Sequence, residues 1–230
     1  MSFIFAVLNA INQRKDSQYV RQVALEVSGQ ARTTDQMSTV IALRDYVRKH
    51  VSRAQYPARG RPYLRDTAAD ILRSGKGRCG EATRAFIGLA ETFGIPAQRL
   101  YLEGQRRHVV ALVTLDRGER LIVDSSETPY IQDVERLDHL LQHPEFDYYS
   151  SFNRPRMVVP VPRNAAHLGP LVFYLENPHA LRSIAWLLLG VTCISFRLLQ
   201  RRFFHARKTQ TEADAAPENS WQTAPAPFIS

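Results

Sequence analysis

Cys79, His108 and Asp124 are of the types, and in the chain order, that thiol acyl transfer can use. That chemistry needs an activated sulfur, an imidazole to take and return its proton, and a group that orients the imidazole. Cys79 lies in the stretch RSGKGRCGEATRAFIGLAETFG, from Arg73 to Gly94, just after a glycine-rich turn and at the start of an expected helix. The unpaired N–H groups and positive dipole end of a helix start favour thiolate over thiol. The same N–H groups can cradle an oxyanion. Of the 7 histidines, His108 is the best placed, at the mouth of an expected strand that follows the cysteine helix. Asp124 closes the next strand, beyond a tight hairpin. Antiparallel neighbours set the start of one strand beside the end of the next, so His108 and Asp124 should share one edge of a sheet.

The elements that must position these residues can be read from periodicity. Ala82, Ala85, Phe86, Leu89, Ala90 and Phe93 fall on one helical face. Gly94 is a natural C′ residue, and Pro96 forbids resumption of the helix. Upstream, Ser2–Ile11 is expected as a short packing helix or an apolar arm, and Ser17–Ser28 as a second helix. Thr34 or Asp35 caps a third, with Met37, Val40, Ile41, Tyr46, Val47 and Val51 at helical spacing. Its Arg44, Arg48 and Lys49, with Arg53 beyond, read as a solvated face. Gln55–Leu64 is a loop, and Asp66 opens a short helix through Leu72. After Gly94 the period changes. Arg99–Glu103 is a strand, Val109–Val113 a β-branched run opened by His108, Asp116–Glu119 a turn, and Leu121–Val123 the return strand. Asp133–Gln142 is expected to be a short helix and Ser150–Pro162 irregular, with an extended piece at Met157–Val161. Helices followed by an antiparallel meander make an α+β fold.

The arrangement resembles the transglutaminase-like superfamily, relatives of the papain-like cysteine proteases. The resemblance rests on Ala68–Leu72, on GKGRCGEATRAFIGLAETFGIPAQRLYL from Gly75 to Leu102, on His108 with its strand, and on VDSS from Val123 to Ser126. It covers about residues 35–130 and is to bacterial members. It implies a papain-like core with Cys79 as nucleophile, His108 as base and acid, and Asp124 as its orienter. It further implies a thioester, hydrolysis of a peptide or other amide when water is the acceptor, and cross-linking when an amine is. Hydrolysis is the leading reading. Amine transfer, or a membrane-tethered module that binds peptide without turnover, are the alternatives. The chain departs from the family pattern at Val109 and Val110, where an aromatic residue commonly follows the histidine, and at Ser125, where proline often follows the aspartate. Both departures bear on substrate preference rather than chemistry. Arg106 and Arg107 either clamp an acidic substrate or face solvent. Gln55, Tyr56 and the turn before Cys79 are candidates for a second oxyanion donor.

The 230 residues are 44% hydrophobic, enough for one domain with extensions. The expected division is a cysteine domain over 1–165, a linker over 166–179, an apolar helix over 180–204 and a disordered tail over 205–230. Two distant cysteines, Cys79 and Cys193, make neither a disulfide framework nor a zinc pair. His139 and His143 share a helical face without a third ligand, and Pro144 ends the helix there, so no metal or cofactor is expected. The net charge of +8 comes without a nucleic-acid motif or aromatic–basic interleaving, so no nucleic-acid partner is expected. The segment IAWLLLGVTCISF, Ile184–Phe196, is almost wholly apolar. A spanning helix wants about 20 residues, which Arg182 and Arg197 approach by snorkelling, with Trp186 as an interfacial anchor. A membrane-spanning or membrane-seated helix is the leading reading, a core or partner helix the other. Arg197, Arg201, Arg202, Arg207 and Lys208 favour a cytoplasmic C-terminal end by the positive-inside rule. The N-terminal apolar run lacks the charged flank of a secretory signal, which favours the opposite topology. A helix lying in the interface satisfies both cues.

Overall fold

A computed structural model of the chain describes residues 1–54, 66–104, 108–140, 146–150 and 171–214. It opens with α1, Ser2–Ala31, one helix where two were expected. Asn12–Asp16 holds neither Gly nor Pro, so nothing between the two apolar stretches breaks the hydrogen-bond ladder. Helix α2, Gln36–His50, starts at Asp35, whose Oδ1 accepts from the Ser38 N–H at 2.9 Å. Helix α3, Ala68–Ser74, is capped by Thr67 and Asp70, one residue later than the expected Asp66 start. It ends at Gly75, whose φ of 62° is open to glycine without strain. Two short parallel strands, β1 (Ser52–Arg53) and β2 (Lys76–Gly77), draw the end of α2 against the turn that precedes the cysteine. Helix α4, Cys79–Glu91, follows directly.

Five antiparallel strands make the sheet. They are β3 (Ala97–Gly104), β4 (His108–Thr114), β5 (Arg120–Val123), β6 (Glu135–Arg136) and β7 (Phe146–Ser150), in the order β6-β5-β4-β3-β7. The β4 run lacks polar alternation because both faces are covered. Ala111, Val113, Leu121 and Val123 join the core with α1, α2 and α4, including Val27, Leu43, Val47, Phe86 and Leu89. Leu100, Leu102, Val110, Leu112 and Ile122 form a second cluster closed by Ile131. A continuous apolar run is what a strand buried on both faces requires.

Several expectations are corrected. The short helix expected from Asp133 starts later, as α5, Leu137–Leu140, because Glu135 and Arg136 are taken by pairing with β5; Leu141 and Gln142 lie outside the described residues. Strand β7 went unread; its partner β3 lies far upstream in the chain. Arg44 and Arg48 do not form a solvated face: Arg44 is buried, and Arg48 reaches inward to the loop after β5. Within the expected linker lies α6, Leu171–Glu176, and its Glu176 is buried against α4 and β3. Then α7 runs from Pro178 to Asp214, well past the expected end of the apolar helix and into the stretch read as tail. The expected loop Gln55–Leu64 and the extended piece Met157–Val161 lie outside the described residues.

Helices α1 and α7 run antiparallel. Ser183 Oγ donates to the Ala6 carbonyl at 2.8 Å, Trp186 stacks on Phe5, and Gly190 lies against Phe3, so partner numbers rise along α7 as they fall along α1.

Candidate active site

The turn before Cys79 is built by close approach. A Cβ on Gly77 would sit 2.7 Å from Glu81 Cβ and 3.2 Å from Val51 Cγ1. Only glycine lets the chain pass there and start α4 at once. Glu81 then reaches back, its Oε2 accepting from the Arg78 N–H at 3.0 Å. Thr83 Oγ1 lies 2.8 Å from the Cys79 carbonyl and 3.1 Å from the Val109 carbonyl, which ties the first turn of α4 to β4.

His108, the first residue of β4, is buried. Its Nε2 donates to Asp124 Oδ2 at 2.7 Å. Its ring and the Cys79 side chain line the same cleft, near enough to shift each other's proton affinity, so one imidazole stands between sulfur and carboxylate. The β4–β5 register pairs Ala111 with Val123, which carries Asp124 alongside Val110. Asp124 and His108 are thus diagonal neighbours across the hairpin rather than directly opposed, a separation that two polar side chains can bridge.

Asp124 is fully buried, and its surroundings account for its charge. Oδ1 accepts from the Ser126 N–H at 3.1 Å, and Oδ2 from the N–H groups of Tyr130 at 2.8 Å and Ile131 at 3.3 Å. Burial pushes its carboxyl up, but the His108 ring and these donors outweigh it and hold it below the ordinary carboxylate value. For His108, burial alone favours the neutral ring; hydrogen bonds to Asp124 and Cys79 prevail and raise its pKa to about 9. Burial pushes the Cys79 thiol up; the His108 hydrogen bond and charge, with the N–H groups of Val109 and Gly80, bring it below the ordinary thiol value. Cysteine and histidine therefore shift toward each other, the condition for a thiolate–imidazolium pair.

Two positioning groups were missed by sequence reasoning. Arg48 spreads its guanidinium over three backbone carbonyls: Nε to Asp124 and Nη1 to Gln132, each at 2.8 Å, and Nη2 to Ile131 at 2.9 Å. The signal for inward-facing arginines on α2 was Arg44, which falls four residues after Val40 and three before Val47, inside the apolar stripe. Tyr130 sets its ring edge-on to His108, with centroids 4.6 Å apart. This aromatic contact comes from the loop after β5, whereas Val109 and Val110 follow the histidine in sequence.

Cys79 and His108 open on a cleft of about 1050 Å³, lined also by Arg53, Arg78, Ser126 and Glu127. Gln55, Arg106 and Arg107, the candidates for substrate binding, lie outside the described residues, as do Tyr56 and His143. Ala54, the neighbour of Gln55, lines the cleft. His139 is exposed on α5, away from the cleft. Among the described residues no group of three or more His, Cys, Asp or Glu side chains could hold a metal ion. Cys79 and Cys193 are both free thiols.

Residues 21–119 match the family model described as the transglutaminase-like superfamily, a span that includes Cys79 and His108 and stops short of Asp124. No curated protein matches the chain. Among solved structures, a Cytophaga hutchinsonii protein assigned as a cysteine protease is 17% identical over 53% of this chain and 41% of its own, with a TM-score of 0.43. A Parabacteroides distasonis protein assigned as a protease is 16% identical over 56% of this chain and 27% of its own, with a TM-score of 0.40. LapG of Legionella pneumophila is 14% identical over 71% of this chain and 97% of its own, with a TM-score of 0.42. The chain thus spans less than half the length of the first two.

Proposed function

We propose, from the premise that residues 21–119 belong to the transglutaminase-like superfamily, that this chain hydrolyses amide bonds through a thioester on Cys79. The observation that carries the reading is the His108 ring bonded to Asp124 and sharing one cleft with Cys79.

The thiolate attacks the amide carbonyl carbon, and the electron pair of the C=O moves to oxygen. The free N–H groups in the first turn of α4 are the donors available to that oxyanion. Imidazolium His108 gives its proton to the departing nitrogen, the C–N bond breaks, and an amine leaves from a Cys79 thioester. Water then attacks the thioester carbon while neutral His108 takes its proton. Collapse expels the sulfur and releases the carboxylic acid. Asp124 keeps the ring in one orientation and stabilises its charged form throughout. The cleft is lined by Arg53, Arg78, Ser126, Glu127 and Thr128 as well as Cys79, a polar lining compatible with water as the acceptor.

Helix α7 supports a membrane-bound enzyme. Pro178–Arg202 is long and apolar enough to cross a bilayer, by length and composition, and few of its residues are covered by the rest of the chain. We assign it as the membrane helix.

Labelling Cys79 with an iodoacetamide probe at neutral pH tests the chemistry. Rapid labelling of the parent, slow labelling of His108→Ala, and turnover of an amide library abolished by Cys79→Ala are expected. A Cys79 that labels no faster than a free thiol, in a protein that still binds peptide, would leave a non-catalytic binding module.

A further inference from the structure

The apolar surface is not confined to α7. On α1, the side chains Phe3, Ile4, Phe5, Val7, Leu8 and Ile11 are between 43% and 60% exposed. On α7, Leu187, Leu188, Leu189, Val191, Ile194 and Phe196 are between 46% and 60% exposed. A soluble surface rarely carries so many large apolar groups together. The two sets form one body. Phe5 stacks on Trp186 with centroids 5.1 Å apart, Ser183 caps the Ala6 carbonyl, and Gly190 admits the Phe3 ring so closely that a Cβ there would sit 3.1 Å from it. Small residues that let helices approach are a usual device where lipid surrounds them.

This body has polar limits. At its base, Gln13 Nε2 donates to Asn177 Oδ1 at 2.8 Å, and His179 Nδ1 meets Asn9 Oδ1 at 3.1 Å. Exposed Arg14 and Lys15 stand at the same level on α1. At the far end of α7, Arg197, Arg201 and Arg202 are exposed. No acidic residue precedes Asp16 on α1, and none lies on α7 before Glu212. Charges at both ends are therefore basic, the sign that anionic headgroups attract. From Ser183 to Phe196, α7 rises about 20 Å, and snorkelling arginines lengthen that toward the roughly 30 Å of a hydrocarbon core.

We propose that residues 2–13 of α1 enter an anionic bilayer together with α7 as an antiparallel helical pair, and that this pair holds the catalytic cleft at a set height above the membrane. The proposal rests on the membrane reading of α7 and adds α1 to it. Rigidity follows from two joints. Helix α1 is unbroken from the apolar end to Val20, Val23, Ala24 and Val27, which are buried in the catalytic core. At the other joint, Glu176 stands two residues before α7 and is gripped by Arg84 Nε at 3.1 Å and Arg99 Nη2 at 2.8 Å. Arg99 abuts Gly80, the residue after Cys79, its Nη1 lying 3.3 Å from where a Cβ would stand. Along α1, Ile11 to Val20 covers about 13 Å, and Gly88 to Cys79 along α4 about 13 Å. Val20 touches Gly88, so with one helix-packing distance the sulfur lies within roughly 35 Å of the apolar end. The substrate class that fits is an amide carried on a chain tethered to, or lying near, the same membrane.

Spin labels on the full chain test this. Single-cysteine variants Val7→Cys, Leu8→Cys and Leu188→Cys, in a Cys79→Ala, Cys193→Ser background, would be reconstituted in phosphatidylcholine–phosphatidylglycerol vesicles. Label accessibility to oxygen is compared with accessibility to a water-soluble nickel chelate. High oxygen and low nickel accessibility at all three positions is expected. Insertion at Leu188 with aqueous Val7 and Leu8 overturns the two-helix anchor while leaving α7 in the membrane. Aqueous labels at all three positions overturn both readings. Spin–spin broadening at Val7 in the absence of vesicles points to a second copy as the occupant and also overturns the proposal. As a second measure, Val7→Glu with Leu8→Glu should lower vesicle partitioning on the order of a hundredfold, with labelling of Cys79 by iodoacetamide unchanged. Unchanged partitioning overturns the proposal.

Discussion

Arg48 donates from Nε to the backbone carbonyl of Asp124 at 2.8 Å, so a helix distant in sequence holds the residue whose carboxylate bonds the His108 ring. The same guanidinium grips the carbonyls of Gln132 and Ile131. The loop 124–132 also supplies the Tyr130 and Ile131 N–H donors to the Asp124 carboxylate. Arg48 therefore acts on His108 through the loop and is a positioning residue. Arg48→Met should lower kcat by roughly ten- to a hundredfold with little change in KM, because misplacement costs rate more than binding. Arg48→Lys should recover only part of the loss, since one ammonium cannot span three carbonyls as a planar fork does. Steady-state kinetics with a pH profile checks this. A purely structural role would lower the active fraction and leave the profile in place.

Asp124→Asn should preserve the fold and cut the rate by orders of magnitude, because the amide can offer the ring the wrong hydrogen-bonding group. Asp116→Asn, at the turn of the same hairpin, should cost little. Both changes remove one negative charge from one hairpin, so a general field effect predicts equal losses. Single-turnover rates separate the two explanations, and equal small effects would remove Asp124 from the proposed triad.

The pH dependence has a definite sign. Activity should rise as Cys79 loses its proton at a pH below the ordinary thiol range. It should fall as His108 loses its proton near about 9, since a neutral ring cannot protonate the leaving nitrogen. Asp124→Asn removes the hydrogen bond and charge that raise the His108 value, so the alkaline limb should move to lower pH. Profiles of kcat/KM for parent and variant read this directly, and an unmoved limb would contradict the assignment.

Glu176 should matter for stability more than for chemistry. Burial opposes its charge, but Arg99 and Arg84 hold its carboxyl down to about 2 from 4.5. Such a depressed group contributes fully above 4.5, and the contribution is lost as pH falls through about 2. Glu176→Gln takes the carboxylate from two buried guanidinium groups and should cost about 3–5 kcal/mol at neutral pH. Thermal unfolding in detergent from neutral to acid pH should show the gap between parent and variant closing over that window. A constant gap would mean that charge is not the cause.

The local signals in the chain were enough to mark the candidate residues and the fold that carries them. Glycines before Cys79, the apolar stripe of α4 and the β-branched run after His108 are patterns of neighbours, and neighbours decide helix starts, strand runs and tight turns. The hairpin brought His108 near Asp124 by arithmetic alone, although the register made them diagonal rather than opposed. What lay beyond sequence reach shares one cause. Arg48 bonds to carbonyls of residues 124, 131 and 132, and a carbonyl acceptor exists at every position, so no residue type marks it. Periodicity tells which face an arginine occupies, not what is laid over that face. Glu176 reads as one acid in a linker until α6 carries it between Arg84 and Arg99. Phe3 and Trp186 each mark an apolar helix, and only the antiparallel course of α7 along α1 joins their surfaces into one. Sequence determined which groups could react and which faces were apolar. Tertiary structure decided which backbone atoms and which distant faces would meet them, because those contacts depend on where the chain returns in space.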